Sequence, residues 1–462
     1  MRNAINNHRG EHGELKARLG NALFYGTFGL LLAGPLAFGM VEPWSIFMIE
    51  GGSAGLLTLW IGKQVIQGEI RIRQNSLFLP MGLFAILIAS QLIFRTTAYL
   101  HATISAALLY IAYAILCFLA SQMLVRGSQA RRLALIFSIY GAAVASFALI
   151  QGISSNGKLY WLRQPRMGGW IYGPYVNHNH YAGLMEMLIP IPLVLSLTHL
   201  ASQRARNLAA AAAAVMVATV FLSGSRGGML ATIGELVILG VILVQQNRGW
   251  RSAMGLGIFL TIVAGLLIWV GGSDLSQRIA SVGLSHSEIS DHTRSEIDRD
   301  GLRMFLKRPI LGWGLGTFPV VYPQFRTFYT NLFVNAAHND YLQLLVEMGL
   351  LGFATMVLFV LIAYNRAIKK LGNWTSDING AVALACLLGM SGILLHSVVD
   401  FNLQIPANAA LFYVLCAIAS SPNFVKPARK HRALQSLSEG EPVNPRDTDQ
   451  QALATFGSYR RH

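Results

Sequence analysis

The sequence predicts an all-α polytopic membrane protein of about twelve transmembrane helices, with one long, mostly helical segment outside the membrane. Three observations carry that expectation. Of 462 residues, 53% are hydrophobic and only 12% charged, where a soluble domain carries about 25% charged residues. The apolar residues gather into runs of about 20, the length that crosses a hydrocarbon core. The Lys and Arg behind the net charge of +15 fall mainly in alternate loops, as the positive-inside rule requires. Much of the basic balance is therefore topology, and nucleic acid is not expected as a partner.

In chain order, residues 1–18 are a polar, basic tail expected in the cytoplasm, with no cleavage pattern before the first span, so that span is read as retained. Residues 19–271 hold nine spans, near 20–40, 43–65, 77–95, 103–125, 132–152, 180–199, 208–222, 228–245 and 253–271. Residues 272–340 form the long outer segment, and 341–421 hold three more spans, near 341–364, 379–399 and 405–421. The seventh and twelfth spans read as short. Residues 422–462, rich in Pro, Arg, Ser, Gln and Asp, are expected to be a disordered cytoplasmic tail. With the N-terminus inside, the inner loops and tails take 24 of the 36 Lys and Arg. The short outer loops hold five: Arg95, Lys158, Arg163, Arg166 and Arg226. Cys117, Cys386 and Cys416 lie in apolar runs, so neither a disulfide framework nor a thiolate metal site is indicated. In the long segment, residues 291–307 alternate charge with Ile297, Leu302, Phe305 and Leu306, an amphipathic helix resting on the membrane or on other helices.

Chemistry is indicated first by outer arginines with no acidic neighbour in their own loops. Such a cation is costly unless it meets a headgroup, a distant carboxylate or an anionic ligand. Arg95 reads as a lipid contact. Arg226 sits in Ser225-Arg226-Gly227-Gly228, where glycines allow close approach, and reads as a ligand contact. For Arg163 and Arg166 both readings stand. A tetrapeptide then recurs, His178-Asn179-His180-Tyr181 and His338-Asn339-Asp340-Tyr341, each before a span and each followed by a glutamate, Glu186 and Glu347. Asn or Asp there can cap free backbone N–H groups, and two helix N-termini beside arginines suit a diphosphate. Among the histidines, His338 follows Asn335-Ala336-Ala337, small residues that leave room for a substrate. A neutral imidazole there could take a hydroxyl proton. His396 reads as a core or interface residue.

The stretch His338-Asn339-Asp340-Tyr341-Leu342 with Glu347-Met348-Gly349 and Gly352 resembles the O-antigen ligase and polymerase superfamily. So do, earlier in the chain, the loop Gly173–Gly183, then Ser225–Gly228, then Arg308-Pro309-Ile310-Leu311-Gly312-Trp313-Gly314-Leu315-Gly316-Thr317-Phe318, the set spanning roughly residues 160–355. The resemblance implies a GT-C-like, inverting glycosyltransferase of the bacterial inner membrane, needing no metal or cofactor, with its active site on the periplasmic face. It implies an undecaprenyl-diphosphate-linked O-antigen as donor and lipid A–core oligosaccharide as acceptor, beside membrane lipids. In that picture His338 is the general base, Arg163, Arg166 and Arg226 hold the diphosphate, and Asn177, His180 and Tyr341 position substrate.

Other readings use the same scaffold. A polymerase or a protein O-oligosaccharyltransferase would differ in acceptor. The one Arg-(ten residues)-Gly match in the outer segments, Arg303 to Gly314, is what chance supplies and does not favour a polymerase. An ion-coupled transporter would use Glu186, Glu235, Glu347 and Asp400, but no inverted repeat supports it. The glycine run 312–316 follows no strand and is no nucleotide fingerprint. Asp298-Arg299-Asp300 reads as the polar face of the 291–307 helix, with Arg294 and Asp298 as an i, i+4 pair, not as a metal site.

Overall fold

A computed structural model describes residues 2–164, 170–245, 257, 291–330 and 333–425. Among these residues the chain is helical throughout, with only isolated bridges in its loops. The helices are α1 (Arg2–Leu36), α2 (Pro43–Gln67), α3 (Phe78–Ile93), α4 (Leu100–Met123), α5 (Gly127–Ile153), α6 (His178–Leu188), α7 (Pro190–Leu197), α8 (Gln203–Ser223), α9 (Arg226–Gln245), α10 (Asp291–Lys307), α11 (Asp340–Ile368), α12 (Ile378–His396) and α13 (Pro406–Ser420). Nine spans, with α6 and α7 as one, are long and apolar enough to cross a membrane, and α3 and α13 are shorter apolar helices. Eleven of the twelve expected spans thus correspond to helices, and the expected 253–271 span lies outside the described residues. So do residues 426–462 of the tail. The seventh span is not short: α8 runs 21 residues from an N-cap at Ser202, because Arg204 and Arg206 extend it past the apolar run. The short ones are α3, of 16 residues, and α13, of 15.

Burial separates inner from outer helices. The α6–α7 span is 83% buried and α12 72%, whereas α2, α9 and α11 are no more than one-third buried. The exposed faces of the outer helices carry Phe47, Val65, Ile86, Val237 and Leu361. So much exposed apolar surface is unfavourable in water and is what a bilayer solvates. Helix ends assigned by charge to opposite sides also join in two separate sets. At one end the Tyr160 hydroxyl donates to the Leu36 carbonyl, Arg308 to Thr96, and the Asp340 N–H to Ser397. At the other, Arg73 donates to Leu124, Pro422 and Asn423, and Lys370 to Ala419 and Ser421.

Two irregular segments shape the first end. Residues 397–405 dip into the bundle between α12 and α13, and Pro406 starts α13 with its fixed φ and no N–H to satisfy. At about 1.5 Å per residue, a 15-residue helix spans only about 22 Å, which leaves room above it for that loop. Buried non-helical backbone must find internal partners, and Asp340 supplies several. Its carboxylate accepts from the Ser397 hydroxyl, the Leu403 N–H and the Gln404 amide.

The second is the glycine run 312–316, which wraps a break in α11. The Trp313 and Gly314 N–H groups donate to Val346 and Glu347 carbonyls, and Gly349 has a φ of 62°. The Glu347 carboxylate accepts from the N–H of Gly316 at 2.8 Å and of Phe318 at 3.1 Å. The glycines thus cradle a carboxylate of this chain. Against this unit packs α10, by Ile297, Gly301 and Met304. The expected amphipathic helix is present, but Leu302 and Leu306 lie on its exposed side; the buried stripe is Ile297–Met304.

Candidate functional site

The first end of the bundle holds a polar cavity lined by Trp170, His178, Asn179, Gly224, Arg226, Gly227, Arg294, His396, Val399 and Asp400. Local sequence builds each wall. Asn177 is the N-cap of α6, its side chain accepting from the Asn179 N–H at 2.8 Å. Gly224, at φ 77°, ends α8 in the left-handed conformation and lets Trp170 lie against it. Ser225 Oγ accepts from the Gly228 N–H at 3.1 Å, so α9 begins at Arg226 with that guanidinium at the cavity. Trp170 stacks on His178 at 4.7 Å, and His178 Nδ1 lies 2.9 Å from the Ser223 carbonyl. The cavity is small, about 30 Å³.

His338 stands beside this cavity, immediately before the α11 N-cap, Asn339. Its φ is 54°, a left-handed conformation uncommon for a residue with a side chain. Its Nδ1 is 3.8 Å from Asp400 Oδ1, too far for a hydrogen bond and near enough for strong charge interaction. Phe401 meets the His338 ring edge-on at 4.7 Å and the His180 ring at 4.8 Å. Burial alone would raise the Asp400 carboxyl, but His338, His180 and His396 together hold it well below the usual carboxylate range. Asp298 on α10 is pushed up by burial, against the pull of His338 and Arg294.

The sequence-derived candidates divide. Arg226 lines the cavity, and Asn177 caps the helix that contributes Asn179. His180 is buried against Phe401, and its carbonyl accepts from Asn408 at 2.9 Å. Tyr341 donates to the Leu394 carbonyl at 2.7 Å, which fixes α11 to α12. Arg163 does not line the cavity: it is ion-paired with Glu42 and lies 4.5 Å over the Phe38 ring. Arg166 lies outside the described residues. The tetrapeptide repeat is not a repeat in space. The caps are Asn177 and Asn339, so His178 is the first residue of its helix whereas His338 precedes its cap.

Arg294, His396 and Asp400 are the additions. Local charge pattern assigns Arg294 to a helix face, and hydropathy leaves His396 and Asp400 as span-end residues. Their one sequence signal is two ionisable groups, four residues apart, closing an apolar span. Asp300 accepts from the Thr327 N–H and hydroxyl and pairs with Arg303. Among the described residues no three His, Cys, Asp or Glu side chains are grouped to hold a metal.

Residues 211–357 match the family described as O-Antigen ligase, Wzy_C, in agreement with the motif resemblance. The matched stretch includes Arg226, Arg294 and His338. Enzymes of that family are glycosyltransferase-like and take part in O-antigen assembly. No curated protein matches the chain.

Proposed function

We propose that this protein transfers O-antigen from undecaprenyl diphosphate to the lipid A–core oligosaccharide at the periplasmic face of the inner membrane. The observation that carries the proposal is the juxtaposition of His338, backed by Asp400 at 3.8 Å, with a cavity edged by Arg226 and Arg294. A base and an anion-binding edge side by side are what attack on a glycosyl diphosphate requires. The charge tally supports the orientation, since this end of the bundle is the one poor in Lys and Arg. Outside the inner membrane a donor must carry its own leaving group, and a lipid diphosphate in the outer leaflet does so.

His338 accepts the proton of the acceptor hydroxyl as that oxygen bonds to the anomeric carbon. The bond from that carbon to the diphosphate oxygen breaks, and its electron pair leaves with the diphosphate. Attack opposite the leaving group inverts the anomeric centre. Asp400 stabilises the imidazolium that forms, as a carboxylate does behind a catalytic histidine. Arg226 and Arg294 stabilise charge gathering on the diphosphate, supported by the N-termini of α6 and α9. Arg163, already engaged by Glu42, is not assigned to the diphosphate. Asn177, His180 and Tyr341 hold the helix ends and the 397–405 loop in register.

The test is His338→Ala in a smooth strain lacking its own ligase, read on a lipopolysaccharide gel. The wild-type gene restores the long-chain ladder, and the variant leaves polymeric glycan on undecaprenyl diphosphate. A full ladder from the variant refutes the role of His338. A wild-type gene that yields only single repeat units on the core refutes ligation of polymer.

A further inference from the structure

Behind Asp400 the bundle buries ionisable groups that the transfer step does not use. His396, the last residue of α12, is 1% exposed, and Glu186 on α6 is 0% exposed. His396 Nδ1 lies 2.7 Å from Glu186 Oε1, while Nε2 lies 4.0 Å from Asp400 Oδ2. Both ring nitrogens therefore face carboxylate oxygens, an arrangement that suits an imidazolium, which can donate on both sides. Small residues keep this space open. A Cβ on Gly227 would stand 2.6 Å from the His396 ring, and one on Gly228 would stand 3.2 Å from Glu186 Oε1.

Resting on the function proposed above, we infer that Glu186 and His396 are positioning residues that fix the charge and rotation of Asp400 for His338. The two oxygens of Asp400 have separate duties. Oδ1 accepts from the Phe401 N–H at 2.8 Å and faces His338 Nδ1. Oδ2 accepts no hydrogen bond among the described residues and lies 4.0 Å from His396 Nε2. A charged His396 keeps Oδ2 turned inward, which leaves Oδ1 aimed at His338 and reserves His338 Nε2 for the acceptor hydroxyl. Glu186 holds the His396 ring in place and balances its charge. A pair that served only to anchor α6 to α12 would need one ring nitrogen and would have no reason to aim the other at Asp400.

The test uses the full-length protein in nanodiscs, with a polyprenyl-diphosphate-linked glycan as donor and purified lipid A–core as acceptor. Glu186→Gln keeps an acceptor for the His396 N–H but removes the charge. It should lower kcat at least tenfold, with KM for both substrates within twofold of wild type. His396→Ala should do the same, and the double variant should be no slower than His396→Ala alone. Wild-type kcat in Glu186→Gln overturns the inference, as does a loss that tracks KM or, in both single variants, the folded fraction by size exclusion. Transfer by wild type that is lost in His338→Ala yet kept in Glu186→Gln overturns this inference alone. No transfer by wild type counts against the proposed function, and against this inference with it.

Discussion

Replacing Asp400 with Asn keeps the size of the side chain and removes its charge, so it isolates what the carboxylate does for His338. The two groups are 3.8 Å apart, with side chains 10% and 2% exposed, so solvent screens them little. At an effective dielectric of about 20, unit charges at that separation interact by about 4 kcal/mol. In the proposed mechanism His338 gains charge as it takes the proton, so the attraction grows toward the transition state. The expected loss in kcat is therefore about a thousandfold. KM for the donor should be nearly unchanged, because Arg226 and Arg294 are untouched. The assay is the initial rate of glycan transfer to lipid A–core by the purified protein, with folding checked by size exclusion. A kcat within fivefold of wild type would refute the pairing of Asp400 with His338.

Three further outcomes are expected. Arg226→Lys should raise donor KM about tenfold, because an ammonium cannot reproduce a bidentate grip on phosphate; Arg163→Ala, whose guanidinium is already engaged by Glu42, should leave it within about twofold in the same assay. Gly312→Ala should destabilise the protein by about 1–3 kcal/mol, because at φ 71° the new Cβ would collide with the Glu347 backbone; an unchanged Tm would contradict the described packing of the glycine run. Asp298→Asn concerns pH. The folded-state pKa of Asp298 is raised above its ordinary 3.8 by burial, so the folded form holds the proton more tightly than the unfolded chain. Stability from that source is present below pH 3.8 and declines as pH rises through the raised value. The variant should gain Tm relative to wild type at pH 7 and lose most of that gain at pH 4.

The amino-acid sequence by itself determined the solvent of this protein and the places of eleven of its expected spans. Runs of about 20 apolar residues must lie in lipid or in a core, and each such run that is described is a helix. Charge placed the loops in two sets, and the helix ends join in those same two sets. Arg226 and His338 stood out in the sequence by the glycines and small residues beside them, and they lie at and beside the cavity. Periodicity did not show which stripe of α10 is inside, since Leu302 and Met304 are equally apolar and only the partner helix distinguishes them. Nor did it show that Arg163 has a carboxylate partner on the α1–α2 connection. Above all, Asp400, His396 and Arg294 acquire meaning only when α10, α12 and the 397–405 loop meet. Hydrophobic patterning fixes which residues enter the bilayer, whereas the pairing of buried charges depends on how helix ends pack. That depends on contacts between residues as far apart as Glu186 and His396, which no local pattern records.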